Sequence, residues 1–174
     1  MGTAIFHPFV PLMFNAKYAL GRAKENEEGS YYESMTAIVF SALAIEAFLN
    51  HVGYYKRIEF WKILEFKLNP QEKLQFLCQR LKLKVDRGDE PYQYFKTILN
   101  FRNSIAHAKV LTEKVAVDYD SGYPRIHWEK MCNPIEAGKL VCGMEAMIED
   151  LAKQLGLEMH LKSWGDFSYR VISE

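Results

Sequence analysis

Apolar residues recur at three- and four-residue steps over most of this chain, and that spacing predicts helices. The first covers roughly residues 10–26. A long second helix covers 31–54, where Met35, Ile38, Val39, Ala42, Ile45, Leu49 and Val52 fall on one stripe. Ser30 ahead of it and Glu33 three residues on have the spacing of a capping box, in which each side chain accepts from the other residue's backbone N–H. After Gly53, "YYKRIEFWKILEF" at 54–66 reads as a further helical segment. "NPQEKLQFLCQRLKL" begins with Asn69 as N-cap and Pro70 at the first helical position, where a missing N–H does no harm. Its stripe is Leu74, Leu77, Cys78 and Leu81. "VDRGDEP" is a loop, and the next helix runs from about Pro91 to Ala108. A second Asn-Pro start, Asn133 and Pro134, opens a helix with Val141, Met144, Met147, Ile148, Leu151 and Leu155 inward and Gly156 as its stop.

Two stretches depart from this pattern. Between 110 and 129, "VLTEKVAVDYD" alternates in part, "SGYP" is turn chemistry and "RIHWE" follows. A short β-hairpin or another ordered excursion fits. The tail, 157–174, carries Trp164 and Phe167 and is expected to pack on the body. The predicted fold class is therefore all-α: a bundle of five to six helices with a short β-hairpin excursion. It is read as a single domain over 1–174, with its core at about 10–156.

Composition narrows the function classes. With 174 residues, 49% of them apolar, the chain can bury one core of ordinary size. The 22 basic and 22 acidic side chains cancel. A general polyanion binder carries a basic surplus, so any nucleic-acid contact here must rest on a local patch. Cys78, Cys132 and Cys142 are too few and too scattered for a disulfide framework or a thiolate metal site, and their odd number favours a reducing compartment. "MGTAIFHPFVPLMF" lacks a basic leader and is interrupted by Pro8 and Pro11, unlike a signal peptide. No uninterrupted apolar run reaches 18 residues, so no membrane span is expected, and the expected setting is cytoplasmic.

Two polar residues intrude on the apolar stripes. Glu46 lies four residues after Ala42 and three before Leu49, and Asn50 follows one turn later. A buried carboxylate must be protonated, hydrogen-bonded or paired, because leaving it bare costs several kcal/mol. On the 91–108 helix, Tyr94, Phe95, Ile98, Leu99, Phe101, Ile105 and Ala106 define an apolar arc, and Arg102 falls inside it. Lys96, Asn100, Asn103 and His107 fall on the opposite side. Arg102 and His107 are about 140° apart around the helix, whereas Asn103 and His107 share a face at i and i+4. The plain structural reading is an internal Arg102–Glu46 ion pair with His107 as a solvated helix-end histidine.

Other chemistry finds less footing. His51 follows Glu46 by five residues, but no second carboxylate–histidine helix matches it, as a di-iron bundle requires. His7, His127 and His160 have no partner at ligand spacing. Neither a nucleophile elbow nor a glycine-rich phosphate loop is present. No metal and no cofactor is therefore expected. "GYYKRIEFWK" and "PYQYF" set aromatic rings beside Lys56, Arg57 and Lys62, an arrangement that can stack bases. Aromatic residues at helical spacing more often belong to a core.

"RNSIAH" at 102–107 resembles the R-x4-6-H motif of HEPN domains, in which the residue after the arginine is usually polar and often asparagine. "SALAIEAFLNHV" is similar to the early long helix of that family, acidic residue included. The resemblance covers roughly 10–156. It implies a metal-independent endoribonuclease, often a toxin or defence effector, working as a homodimer with both motifs lining one cleft. Arg102, Asn103 and His107 would then be the catalytic set, with Glu46 behind them. His107 would act as general base or acid, a role that an imidazole suits because the side chain changes charge near neutral pH. Arg102 would stabilise the pentacovalent phosphate, and Asn103 would orient the histidine or hold a phosphate oxygen. The implied partners are RNA, a second copy of the chain, and an antitoxin or other regulator. In the branch paired with a nucleotidyltransferase antitoxin, a tyrosine often follows the histidine by two positions. Lys109 stands there instead, which puts a tyrosine-modification switch in doubt. Lys109 would contact phosphate or serve as a helix-end cation. Other HEPN domains bind nucleotides or act as non-catalytic partners, so the motif alone does not fix activity.

Overall fold

The computed structural model describes residues 3–107, 127–157 and 169–172. Its elements, in chain order, are β1 (Thr3–Phe6), α1 (Phe9–Glu25), α2 (Ser30–Tyr55), α3 (Trp61–Lys67), α4 (Pro70–Leu81), α5 (Glu90–Ala106), α6 (His127–Met131), α7 (Pro134–Gln154) and β2 (Tyr169–Ile172). The two strands pair antiparallel, with Thr3 opposite Ile172 and Phe6 opposite Tyr169. The described residues are all-α apart from this strand pair.

Among the described residues there are seven helices rather than five or six. The extra one is α6, which begins where the hairpin was expected to end. The indole of Trp128 lies 6.3 Å from the Phe101 ring of α5, and such packing supports a single turn that propensity alone would not. The rest of the expected hairpin, and Lys109 with it, falls in 108–126, outside the described residues. The same holds for residues 158–168 of the tail.

The segment read as helical over 54–66 is α3, confined to Trp61–Lys67. Gly53 does not end α2, which continues to Tyr55. Gly53 is instead a contact point: a Cβ built there would lie 2.0 Å from Cε2 of Trp61. Only a residue without a side chain lets the buried indole of Trp61 lie directly on the α2 backbone. After the turn at 56–60, α3 is pinned to α2 by that ring.

Helix α2 organises the fold. It touches every other helix, and Ile38, Ile45, Phe48 and Leu49 are fully or almost fully buried. Each such side chain contributes roughly 1.5–3 kcal/mol on burial. The 18-residue window at mean hydropathy 1.6 makes α2 the one described helix long and apolar enough to cross a membrane, and half of that window is buried against its neighbours. The expectation of no such stretch rested on uninterrupted runs, which Glu46 and other polar residues break. A central position in a bundle accounts for the same composition, since a helix packed against several neighbours is apolar over more than one face.

Caps follow the sequence where asparagine precedes proline. Asn69 accepts from the Glu72 N–H, and Glu72 accepts from the Asn69 N–H, closing a capping box. Asn133 caps α7 through the N–H groups of Ile135 and Glu136. The predicted Ser30–Glu33 box does not form. Gly29, at φ 82°, holds the cap position without a side-chain bond, and Glu33 pairs with Arg22 of α1 instead.

Candidate functional site

Three helices bring their polar residues to one place. Glu46 points from α2 toward α5 and α4. Its Oε2 accepts from Nη2 of Arg102 on α5, and its Oε1 accepts from Nζ of Lys73 on α4 at 3.2 Å. Arg102 therefore meets Glu46, as their positions on the two stripes led us to expect. The carboxylate is not deeply buried, however: its side chain keeps 25% of its surface exposed. It sits at the edge of the α2 stripe rather than in its middle.

Lys73 was not foreseen. It is only 2% exposed, the most buried charge among the described residues. Its position four residues before Leu77 puts it on the apolar side of α4, and that spacing was the one signal available. With one carboxylate facing two cations, the cluster carries a net positive charge of one. Two buried side-chain atoms are unpaired among the described residues: Nε of Arg102 within the cluster, and Oδ1 of Asn50, one turn beyond Glu46 on α2. Both atoms are sealed from solvent, so only the net positive setting of the partly buried guanidinium favours an anion nearby.

The other motif residues lie on the opposite side of α5. Asn103 is exposed, and its Oδ1 accepts from Nη1 of Arg102 at 3.0 Å. His107 is exposed at the C-cap of α5, with φ −116° and its backbone N–H on the Asn103 carbonyl at 3.0 Å. Among the described residues its imidazole has no hydrogen-bond or ion-pair partner. The structure thus brings Arg102 to Glu46 and to Asn103, and it does not bring Arg102 to His107 within one protomer. Gln93, Lys96, Asn100, Asn103 and His107 are all exposed along one side of α5. Ile105 is half-buried and Ala106 exposed, so the apolar arc ends a turn earlier than its periodicity predicts.

A second polar pair was also missed. His7, just after β1, reaches His51 of α2, with Nδ1 to Nδ1 at 3.2 Å and the rings edge to face at 4.6 Å. Phe9 and Tyr55 flank the His51 ring. Burial, with His7 adding to it, pulls the His51 pKa down to about 4. Burial lowers His7 as well. Both rings are neutral at pH 7, so one donates and the other accepts. Sequence spacing could not link residues 44 positions apart.

Among the described residues no group of three or more histidine, cysteine, aspartate or glutamate side chains is arranged to hold a metal ion. A cleft of about 480 Å³ opens between α4 and the start of α5, with Glu72, Cys78, Arg87 and Tyr92 among its walls. Glu46, Arg102 and His107 do not line it, so its position gives no support to the motif as a ligand pocket within one protomer. Comparison with protein-family models, curated proteins and solved structures gave no match to this chain.

Proposed function

We propose that this chain is a HEPN-type domain that cleaves single-stranded RNA without a metal, at a site completed by a second copy. The observation that carries the reading is the clamp on Arg102. Glu46 fixes one end of the guanidinium and Lys73 adds a second cation, so the cluster presents a held fork and a net positive charge. A fixed fork of that kind is suited to a phosphate gaining negative charge in its transition state. His107 is exposed and free to meet substrate. In the proposed reaction one His107 takes the proton of a ribose 2′-hydroxyl. The 2′-oxygen attacks phosphorus, the bond to the 5′-oxygen breaks, and a second His107 protonates that leaving oxygen. The product is a 2′,3′-cyclic phosphate. The exposed, polar side of α5 is the face proposed to meet the second copy, in an interface above about 1,000 Å². Within this reading a toxin or defence role, and regulation by an antitoxin, are the associated biology.

The unpartnered imidazole of His107 favours a second reading, a non-catalytic HEPN module that binds a nucleotide or a protein partner. A general base is ordinarily oriented by a third group, and none is present here among the described residues. Incubation with varied single-stranded RNAs in EDTA, beside matched DNA, separates the two. Cleavage of RNA alone is expected, with His107→Ala slower by about 10²–10⁴ and Arg102→Lys inactive because a point charge cannot replace the fork. Equal cleavage of DNA, loss of activity in EDTA, or full activity in His107→Ala rejects the mechanism. No cleavage of any RNA moves the conclusion to the non-catalytic module.

A further inference from the structure

Five of the eight large apolar or aromatic side chains that stand exposed on the described surface lie within 13 consecutive residues: Tyr54, Tyr55, Phe60, Ile63 and Phe66. Apart from Trp61, the aromatic residues of this stretch do not join the core. Trp61 alone of the α3 side chains is buried, and by seating on Gly53 it fixes which way the rest of α3 faces. Phe66 is 84% exposed, Phe60 68% and Tyr54 61%. Among the described residues none of these three rings has an aromatic neighbour. Phe60 also sits at φ 60° and Arg57 at φ 49°, a left-handed backbone that is unusual and strained for a bulky residue. The turn holds that conformation and displays a phenyl ring at its tip.

The charge beside these rings is one-sided. Residues 54–67 carry four basic side chains, Lys56, Arg57, Lys62 and Lys67, against two acidic ones, Glu59 and Glu65, in a chain whose total is zero. Lys56 is engaged, its Nζ on the Leu155 carbonyl at 2.8 Å. Arg57, Lys62 and Lys67 are exposed and pair with nothing among the described residues. The patch also lies on the side of α2 that carries the Arg102 cluster. Gly53, under Trp61, follows Glu46 by seven residues, two turns, so both point within about 20° of the same direction and stand roughly 10 Å apart along the helix.

We infer that the α2–α3 turn and α3 form a stacking platform for single-stranded RNA, with Tyr54, Phe60 and Phe66 taking bases and Arg57, Lys62 and Lys67 taking phosphates. Unpaired rings interleaved with free cations are what a sequence-tolerant single-strand site requires, because every base offers a π-face and every nucleotide a phosphate. The choice of RNA over DNA rests on the ribonuclease reading; the platform itself does not. A strand lying on it runs along the same side of α2 toward Arg102.

The test is binding, measured by fluorescence anisotropy with a labelled RNA of about ten nucleotides, in His107→Ala protein so that cleavage cannot intervene. Phe60→Ala and Phe66→Ala are each expected to weaken binding roughly five- to a hundred-fold. Replacing Arg57 and Lys62 by alanine is expected to reduce the salt dependence by about 0.7 in log–log slope for each phosphate contact removed. These positions are exposed, and an unchanged unfolding midpoint shows that the variants are folded. Unaltered affinity in the Phe60→Ala/Phe66→Ala double variant overturns the platform, as does failure of His107→Ala protein to bind any single strand. Partition of the same surface onto anionic lipid vesicles, or concentration-dependent self-association lost in the double variant with RNA affinity unchanged, reassigns it and also overturns the proposal. Tight, platform-dependent binding with no cleavage by the native chain leaves the platform standing and removes the ribonuclease reading. Cleavage that ignores the platform does the reverse.

Discussion

Helix α2 carries two polar intrusions into largely apolar surroundings, and the fold handles them in opposite ways. Glu46 draws cations from two other helices, Lys73 and Arg102. His51, five residues on, gives up its charge and shares a hydrogen with a second imidazole. The first solution supplies counter-charge; the second shifts a pKa until none is needed. They differ in what they leave behind. The neutral pair is self-contained and acts as a tie between the N-terminal segment and α2. The ionic cluster is over-supplied, with one cation more than its carboxylate neutralises.

The contrast is most directly broken at Glu46. In Glu46→Ala, Lys73 and the partly buried Arg102 lose the one carboxylate that pairs with them among the described residues, and unfolding in denaturant is expected to become easier by roughly 3 kcal/mol, the low end for an orphaned buried charge because solvent still reaches Arg102. A loss below about 0.5 kcal/mol would mean that the cluster is a surface pair in disguise.

The histidine pair is tested by acid. Its folded pKa is depressed, to about 4 for His51, so between about pH 6.5 and 4 the unfolded chain holds more protons than the native one, and stability falls as pH falls. The pair's contribution is intact above pH 6.5 and gone near pH 4. With the ring still partly solvated, the change is expected to be about 2 kcal/mol. It should flatten in His51→Gln, measured as the unfolding midpoint across that range.

The smallest effect is expected at Lys73. In Lys73→Met the methylenes remain buried and the surplus cation goes, so stability should move by less than about 1 kcal/mol. Combined with Glu46→Ala it should recover part of that variant's loss, a coupling of roughly 1 kcal/mol or more in a double-mutant cycle. Strict additivity would show that Lys73 and Glu46 do not feel each other.

What could be read from the sequence was local. The Asn-Pro starts gave α4 and α7 within a residue, because asparagine as a cap and proline at the first turn satisfy backbone geometry without tertiary help. Arg102 and Glu46 were legible as partners because each broke an apolar stripe and each needed compensation. Lys73 was hidden because a long aliphatic stem lets a lysine lie within a stripe without interrupting it. His7 and His51 were invisible as a pair because only the packing of α1 on α2 joins them. The role of Gly53 was hidden, since a glycine that loosens a helix end and one that admits a ring look alike in one dimension. The roles of Asn103 and His107 remain a matter for chemistry rather than for packing, because both face solvent.

The seat of Trp61 on Gly53 has an optical consequence. The indole is buried, and among the described residues its N–H has no acceptor, so its emission should lie to the blue of solvent-exposed tryptophan. A methyl at position 53 has no room beneath the ring. Gly53→Ala should therefore lift α3 away and shift that emission to the red, while α2, rid of a flexible glycine, gains helix propensity. One atom would convert the position of α3 into a colour, readable without any label.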